Sequence, residues 1–254
     1  HKFDANGSLI FKYSKSGDFL WSANNIQNYS DIAIDQANSV FTTGSTWFQS
    51  GNTSFITDKL DANGNFQWRR YYDYSEYSGF NSAEKIMIDK NGDIIVAGVS
   101  QWGQAIRNIP FSGTLIIPLT HYSFVKYSPN GDLIWNSIFP YKSLLGGPSA
   151  IVSMISDKAG NIYTAGSNKI TEVDKLSRVA TYYRFLTTKL SNDGEVIWSE
   201  SPFNAKDNTS RLSDLIVSDN ENVYVTGTKK TEGVRTIKYV QCPSNANNAR
   251  LSNI

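Results

Sequence analysis

The chain contains two histidines, and His121 is the one that could act as a general base. It lies in the longest stretch between predicted strands, where folding could bring it near Tyr72, Tyr122 or Tyr141. An imidazole beside a phenol is the acid–base arrangement of a lyase-like reaction. A single imidazole without a spacing motif is a weak signal, and His1 at the terminus does not strengthen it. No catalytic residue is therefore assigned, and His121 is the weak candidate among the histidines.

A second group of candidates is aromatic and could hold a ligand by stacking. The stretch YYDYSEYSGF, from Tyr71, combines five aromatics with Asp73 and Glu76, which suits carbohydrate or peptide contacts as well as rim packing. Two carboxylates about 5 to 9 Å apart in a central cleft would support a glycosidase. The predicted ligand-binding residues are Trp47, Phe48, Tyr72, Tyr74, Tyr77, Trp102, Arg107, Tyr141 and Arg211.

Composition argues against several other kinds of site. With 24 basic and 23 acidic residues, the net charge of +1 creates no field that would attract nucleic acid or acidic lipid. The single Cys242 cannot form an internal disulfide, and the sequence has no CxxC, HxxxH, GxSxG, P-loop or HExxH pattern. No apolar run approaches the roughly 18 residues that span a membrane. We therefore expect no metal, cofactor, nucleic-acid partner or membrane span.

The elements that must position these candidates are repeated. One phrase occurs five times, always with a glycine five positions and a large aromatic nine positions after its lysine. Two spacings kept through five copies exclude chance. The copies are KFDANGSLIF, KYSKSGDFLW, KLDANGNFQW, KYSPNGDLIW and KLSNDGEVIW, which start at Lys2, Lys12, Lys59, Lys126 and Lys189.

A second phrase alternates with the first and ends at Gly44, Gly98, Gly166 and Gly227. In both phrases alternating apolar residues flank a D-x-x-G or N-G-type turn, which is the pattern of a β-hairpin. Two hairpins per unit of about 50 residues give four antiparallel strands, here A to D, and predict an all-β fold, a β-propeller of four-stranded blades. A β-sandwich is the main competitor, but its packing does not require one unit to recur in fixed order.

The paired phrases resemble the SBBP-type β-propeller repeats of bacteria, with NHL-like blades as a more distant likeness. The carrying motifs are the K-[LY]-D-x-x-G-x-x-x-W hairpin and the I-A-x-D-x-x-G-N-x-Y-x-x-G hairpin, and the resemblance covers Lys2 to about Val240. It implies a propeller from an exported or surface protein. It implies no catalytic residue, because propellers host enzymes, binders and scaffolds alike.

The repeat predicts one domain over residues 1–254. Five blades are expected, and the N-terminal segment is expected to pair with the strand around Lys238 and so close the ring. The doubled opening phrase would then be two C–D-type turns that share a strand. The predicted units are 1–29, 30–74, 83–140, 149–201 and 212–241, followed by a tail over 242–254.

Blade geometry separates two faces. The A–B and C–D turns lie on one side, here the turn face, and the B–C and D–A connections lie on the other, here the loop face. Long loops at 99–121 and 167–183 make the loop face the expected recognition surface, and it carries Trp47 and Trp102. Two repeated series are expected to be structural instead. The tryptophans at 21, 68, 135 and 198 would pack between blades, and the lysines at 12, 59, 126, 189 and 238 would be solvated or packed at the rim.

Two functions from different classes remain. The favoured one is a non-catalytic module that binds a glycan, a peptide or another protein through the loop face, or spaces other domains. It would act outside a bacterial cell, as a monomer or within a longer multidomain chain. The alternative is a carbohydrate-active propeller enzyme, a polysaccharide lyase or glycosidase, that uses His121 or the carboxylates Asp73 and Glu76.

Overall fold

The computed structural model describes most of the chain, and every regular element in it is a β-strand. A two-stranded N-terminal hairpin precedes four sheets of four antiparallel strands, here blades I to IV. The described residues are 7–25, 27–48, 51–73, 79–109, 113–139, 146–174, 176, 178–201, 211–229, 233–240 and 250–253.

Strands follow one another in each sheet in chain order, as A, B, C and D. The N-terminal hairpin consists of β1 (Ser8–Tyr13) and β2 (Phe19–Asn25). Blade I consists of β3 (Asn28–Ile34), β4 (Val40–Trp47), β5 (Thr53–Leu60) and β6 (Phe66–Tyr72). Blade II consists of β7 (Asn81–Ile88), β8 (Ile94–Ile109), β9 (Gly113–Tyr127) and β10 (Leu133–Phe139). Blade III consists of β11 (Gly146–Ser156), β12 (Ile162–Val173), β13 (Val179–Leu190) and β14 (Val196–Glu200). Blade IV consists of β15 (Arg211–Val217), β16 (Val223–Lys229), β17 (Gly233–Val240) and β18 (Arg250–Asn253).

The predicted tight turns are confirmed. At the C–D turn of blade I, the Asp61 N–H donates to the carbonyl of Asn65 at 2.9 Å, and the Gly64 N–H donates to the carbonyl of Asp61 at 3.0 Å. The Asp61 carboxylate accepts the N–H groups of Asn63 and Asn65. This is a three-residue hairpin loop whose last residue is left-handed, which is why the repeat places glycine there. The same backbone bonds recur at the turns that begin at residues 14, 35, 89, 128, 157, 191 and 218.

The glycine that ends the second phrase is required for a different reason, which is the close approach of two strands. In every complete blade the innermost strand carries a β-bulge directly beside this glycine, which lies within strand B. At the bulge the backbone of strand A lies very close to strand B. A Cβ at Gly166 would therefore be 1.9 Å from the carbonyl oxygen of Ala150. A β-bulge opposite glycine is therefore part of each blade.

Three of the four repeated tryptophans make the same hydrogen bond to the next blade, and Trp198 packs between Tyr163 and Tyr239, which confirms their packing role. The indole N–H of Trp21 donates to the carbonyl of Ala62 at 3.0 Å. The same bond joins Trp68 to Pro129 at 3.2 Å. It recurs from Trp135 to the carbonyl of Asn192 at 3.1 Å. Each acceptor is the third residue after the repeat lysine of the following blade, so a sequence repeat becomes a repeated contact between blades, here the tryptophan latch.

Two of the repeated lysines are buried, although the sequence had suggested that the series would be solvated or packed at the rim. Lys126 and Lys189 are more than nine-tenths buried. The Lys126 ammonium lies 2.7 Å from the Asp89 carboxylate and 3.2 Å from that of Asp93. Lys12 and Lys59 donate to the same carbonyls as the tryptophan latch, those of Ala62 and Pro129. The sequence missed this burial because the partners belong to other turns and blades.

Apolar cores lie between successive blades. Phe41 and Phe55 of blade I pack with Ala83 and Ile86 of blade II. Further clusters join blade II to III and blade III to IV. A smaller cluster around Ile10, Val40 and Leu60 joins the N-terminal hairpin to blade I. The hydrophobic core is therefore a series of layers between sheets, as in a propeller.

Two of the predicted loops are in fact strands. In blade II the B and C strands continue to pair from Gly103 and Leu119 up to Ile109 and Gly113, and form ribbon II. In blade III they pair from Asn168 up to Val173. Segment 99–121 looked irregular in the sequence because Gly103 and Pro118 interrupt the alternation. Its strands nevertheless stay paired on both sides of a β-bulge at Trp102. The extended strands of blade III pair without a bulge.

The expected closure of the ring is wrong for the described residues. The strand around Lys238 pairs on its outer side with β18, so the segment 242–254 that was predicted as a tail supplies the fourth strand of blade IV. In the N-terminal segment β1 pairs with β2. Residues 1–6, the first half of the doubled phrase, lie outside the described residues. The total of five blades therefore stays a prediction.

Candidate functional site

A cleft opens on the loop face between blades II and III, and it is named here the II–III cleft. Its volume is about 230 Å³. One wall is the base of ribbon II, and the other is the start of the inner strand of blade III. The lining residues are Phe80, Val99, Gln101, Ile117, Pro118, Thr120, Gly146, Gly147, Pro148, Ser149 and Lys169.

The cleft owes its narrow floor to a close approach of two backbones. Gly147 (φ 159°) lies so near blade II that a Cβ there would be 2.2 Å from the carbonyl oxygen of Thr120. The Thr120 hydroxyl donates to the carbonyl of Pro148 at 2.5 Å. Because a side chain at position 147 would force the blades apart, the glycine fixes the shape of the cleft.

The chemistry of the lining is apolar with a few polar groups. Phe80, Ile117 and Pro118 supply apolar surface, and about half of the Phe80 side chain is exposed to solvent. Among the described lining residues, Lys169 is the one with a charged side chain. Hydroxyl, amide and ammonium groups are thus available for hydrogen bonds, on walls that favour an apolar or ring-shaped group.

A hydrogen-bonded clasp supports the cleft from below. The fully buried Tyr122 of blade II donates its hydroxyl to the carbonyl of Ala150 at 2.9 Å. The Glu84 carboxylate accepts the N–H of Ile151. Burial raises the pKa of Glu84 to about 7, against the opposing effects of the Ile151 N–H and Lys85. Burial, and then the charge of Glu84, raises the pKa of Tyr122 well above its ordinary value. The clasp holds blades II and III in register.

The structure places the catalytic candidate His121 in the interior. Its exposure is 2%, and it lies on β9 opposite Ser100. Burial lowers the pKa of His121 to about 4, so the imidazole is neutral at physiological pH. Tyr122, its nearest candidate partner, points between the blades. Neither ring lines the II–III cleft.

Of the predicted binding residues, Trp47 and Phe48 form an exposed aromatic patch on blade I. Trp47 is 66% exposed, and the Phe48 ring lies 5.8 Å from that of Tyr71, which is also exposed. Tyr72 turns inward instead, and its ring packs 5.6 Å from Phe55 in the core. Part of the predicted aromatic set therefore belongs to packing.

The other predicted residues are spread over the molecule. Trp102 is 45% exposed and occupies a β-bulge at the base of ribbon II. Arg107 is exposed further along this ribbon, and Arg211 begins blade IV. Asp73 accepts a hydrogen bond from the Asn81 side chain at 3.0 Å. The remaining candidates, Tyr74, Glu76, Tyr77 and Tyr141, lie outside the described residues.

Sequence reasoning missed most of the cleft. Gly146, Gly147 and Pro148 lie in a D–A connection that was placed on the loop face, but no spacing singled them out. Ile117 was hidden in a segment predicted as a loop. The one available signal was the pair of adjacent glycines before a proline, since such a run often marks a close backbone approach.

The described part of the chain contains no group of three or more histidine, cysteine, aspartate or glutamate side chains that could hold a metal ion. It also contains no helix long and apolar enough to cross a membrane.

The sheets, their chain order and the layers between them define a β-propeller made of four-stranded antiparallel blades. No protein-family model matches the sequence, and no curated protein matches it. Among solved structures, the chain is similar to an ulvan lyase from a new family of polysaccharide lyases, with a TM-score of 0.51 and 12% identity over 87% of this chain and 54% of that chain. An apocarotenoid oxygenase from Synechocystis gives a TM-score of 0.48 and 10% identity over 98% of this chain and 56% of that chain. At such identities the likeness to the lyase is one of fold, and the chain spans about half the length of these structures.

Proposed function

We propose that the protein is a non-catalytic binding module that holds a glycan or a polypeptide on its loop face, with the II–III cleft as the anchoring site. The observation that carries the proposal is the lining of the cleft. Apolar walls with a few hydroxyl, amide and ammonium groups are typical of binding sites. The described lining presents no carboxylate or imidazole that could transfer a proton.

The size of the cleft indicates how much of a ligand it holds. Sites for whole drug-sized ligands measure roughly 300–1,000 Å³. At about 230 Å³ the II–III cleft has room for one sugar ring or one amino-acid side chain. The ligand is therefore a polymer anchored by one unit, and the rest of it extends over the loop face, where Trp102 is exposed beside the cleft on ribbon II.

The resemblance to SBBP-type repeats supports a location outside the bacterial cell for this protein. A polymer of the cell surface or of the surroundings would then be the natural ligand. The near-neutral charge supports ligands held by shape, stacking and hydrogen bonds rather than by charge.

The alternative is a carbohydrate-active enzyme, and the fold likeness to a polysaccharide lyase is the observation that favours it. A lyase or glycosidase needs an exposed acid and base within reach of the substrate. His121 and Tyr122 are both buried, so neither supports this alternative.

A paired screen distinguishes the two functions. The wild-type protein is tested for binding to a glycan array and a peptide library, and for depolymerisation of ulvan and other polysaccharides. We expect binding without turnover. Turnover that survives purification and is abolished by His121→Ala would establish the enzyme instead.

Substitutions then locate the site. Phe80→Ala and Lys169→Ala change exposed side chains of the cleft and should each weaken binding at least tenfold. Leu176→Ala, at an exposed turn outside the cleft, is the control and should bind normally. Loss of binding confined to Trp47→Ala would move the site to blade I and overturn the assignment of the cleft.

A further inference from the structure

The N-terminal hairpin has the contacts of the outer half of a blade. Lys12 and Trp21 both donate to the carbonyl of Ala62 in blade I. In blade I itself, Lys59 and Trp68 make the same two bonds to Pro129 of blade II. Since Lys59 lies on strand C and Trp68 on strand D, β1 and β2 occupy the positions of strands C and D. Within the described residues, β1 pairs with β2 alone, so the edge that strand B occupies elsewhere is open.

The side chains of β1 confirm that a covering layer is missing. The positions three before, one before and one after the repeat lysine are buried in complete blades. In blade I they are Ile56, Asp58 and Leu60, and in blade III they are Leu186, Thr188 and Leu190, all at most 5% exposed. In the hairpin the same positions hold Leu9, Phe11 and Tyr13, which are 56%, 52% and 58% exposed. Three large apolar side chains therefore lie at positions that the preceding blade otherwise shields, as blade II shields Leu186 and Leu190.

The complete blades also show what lies at the open edge of β1. Strand B pairs with strand C so that an aromatic residue lies directly opposite the repeat lysine, as Phe41 does for Lys59 and Tyr163 for Lys189. The lysine ammonium lies over that ring, 5.2 Å from the centre in blade I and 5.0 Å in blade III. Lys12 has the carbonyl of Ala62 and the Trp21 ring of its own hairpin, and its strand-B side is open.

We propose that β1 is an acceptor edge for a β-hairpin of the A–B type, supplied by a polypeptide segment that carries the pattern of this repeat. The incoming strand B pairs antiparallel with β1, places an aromatic ring over Lys12 and lies beside Leu9, Phe11 and Tyr13 in the same sheet. Strand A follows on its far side, so the half-blade becomes a four-stranded sheet. Addition of strands to an open edge is a known mode of peptide recognition, in which backbone bonds give affinity and side-chain pockets give specificity.

The choice of occupant rests on the complementarity of the repeat. A sheet edge alone accepts many strands. Here the open edge and Lys12 match the edge and lysine that strand B meets in blades I and III, and the same latch to the next blade is already formed. An A–B hairpin satisfies both the backbone edge and the lysine, which an unrelated strand does not.

The test uses a synthetic peptide with the sequence of residues 28–47, the A–B hairpin of blade I, added to the whole protein. Binding is measured by calorimetry, and its location by hydrogen exchange of the amides of residues 8–13. We expect the peptide to slow exchange in β1 and Phe11→Lys to weaken binding at least tenfold. Ile216→Lys, a similarly exposed position in a complete blade, is the control and should leave binding unchanged.

A second peptide tests the lysine contact. Replacement of the residue at peptide position 41, Phe41→Ser, should weaken binding several-fold in the wild type and have little further effect in Lys12→Ala. Folding of every variant is checked by its thermal transition, and Leu9→Lys repeats the test at a second position.

Three results would overturn the proposal. The first is that no peptide slows exchange in β1. The second is that β1 amides are already protected in the free protein at low concentration, which would mean that another part of the chain covers the edge. The third is a concentration-dependent dimer that is lost in Phe11→Lys, which would make a second copy the occupant. None of these outcomes bears on the II–III cleft.

Discussion

At the scale of single residues, a buried carboxylate in blade I shows how this fold accommodates charge in its interior. In blade I the fully buried Asp58 carboxylate accepts two hydrogen bonds of 2.7 Å from the guanidinium of Arg69 and a short one from the hydroxyl of Tyr29. Burial and the Asp58 charge together raise the pKa of Tyr29. Removing one partner from such a group leaves the others desolvated and unpaired, so its loss is far more costly than that of a surface ion pair.

Asp58→Ala should therefore lower the free energy of unfolding by about 3–5 kcal/mol, since it removes a fully buried carboxylate on which the partly buried Arg69 and Tyr29 converge. Urea denaturation provides the measurement. Asp219→Ala is the control, because Asp219 pairs with Lys158 where both side chains are 86% exposed, and no measurable change is expected. If Asp58→Ala lowered the free energy of unfolding no more than Asp219→Ala does, the buried interactions of Asp58 would not be important for stability.

Glu84 should make stability depend on pH. Its pKa is raised to about 7 in the folded protein, against 4.5 for an ordinary glutamate. A raised carboxyl pKa stabilises the fold fully below about pH 4.5, and this contribution is lost as the pH rises through about 7. Glu84→Gln keeps an oxygen that can accept the Ile151 N–H and removes the charge. It should be more stable than the wild type at pH 8, by on the order of 2–3 kcal/mol.

Thermal melting between pH 5 and pH 9 tests this prediction. The wild-type transition should fall across neutral pH, and that of Glu84→Gln should stay flatter over the same interval. Parallel curves for the two proteins would contradict the assignment of the titration to Glu84. Glu195→Gln, which changes an exposed glutamate, is the control and should show the same dependence on pH as the wild type.

At the scale of elements, the blades are held by a latch that repeats with the sequence. Trp135 donates to the carbonyl of Asn192, and its ring lies against the turn glycine of the next blade. A Cβ at Gly194 would be 2.8 Å from that ring. The glycine thus serves both the left-handed turn (φ 85°) and the seat of the tryptophan.

Gly194→Ala should therefore cost more than the same change at a turn without this contact. Gly92 is the matched control, because its φ is also 85° but its nearest neighbour would be 3.8 Å from a Cβ. We expect about 1–2 kcal/mol for Gly92→Ala from backbone strain, and roughly 1–3 kcal/mol more for Gly194→Ala from overpacking. Chemical denaturation measures both.

A double-mutant cycle separates the two causes. Trp135→Leu makes room at the seat, so Gly194→Ala should cost less in that background than in the wild type. Additive effects would show that the ring and the glycine do not press on each other.

The sequence predicted the strands of the blades well, because Asp, Asn and Gly at fixed spacing encode their turns directly. It failed where structure depends on distant partners. Ribbon II was taken for a loop because Gly103 and Pro118 mask a ladder that only pairing reveals. The strand Arg250–Asn253 lacks the repeat pattern, so its place in blade IV was not foreseen. The burial of Lys126 depends on Asp89 and Asp93, which lie in another turn.

The candidate site was predicted less well than the fold. The long connections lie on the loop face, as does the II–III cleft, and its role in recognition stays a prediction. His121, Tyr72 and Tyr122 are buried or packed, because alternation along a strand decides which side chains face the core and this alternation was hidden in the predicted loops. Phe80 and Gly147 carry no motif, and a cleft between two blades is visible only when both are in place.

At the scale of the whole molecule, packed layers between blades form a rigid scaffold, and the variation lies on one face. Ribbon II, ribbon-like extensions of blade III and the adjacent inner strand meet at the II–III cleft. A rigid scaffold with varied connections is suited to recognition. The lining of the II–III cleft, apolar with Lys169 as its charged side chain among the described residues, is the basis of the proposed binding function.

The most direct test of this account is a map of where a ligand from the binding screen contacts the protein. Amide chemical shifts are recorded during a titration of the wild type, with product formation followed in the same sample. We predict that the changes centre on Phe80, Thr120, Ser149 and Lys169, and that the ligand is recovered intact. Changes centred on the aromatic patch of Trp47 and Phe48, or cleavage of the ligand, would contradict the account.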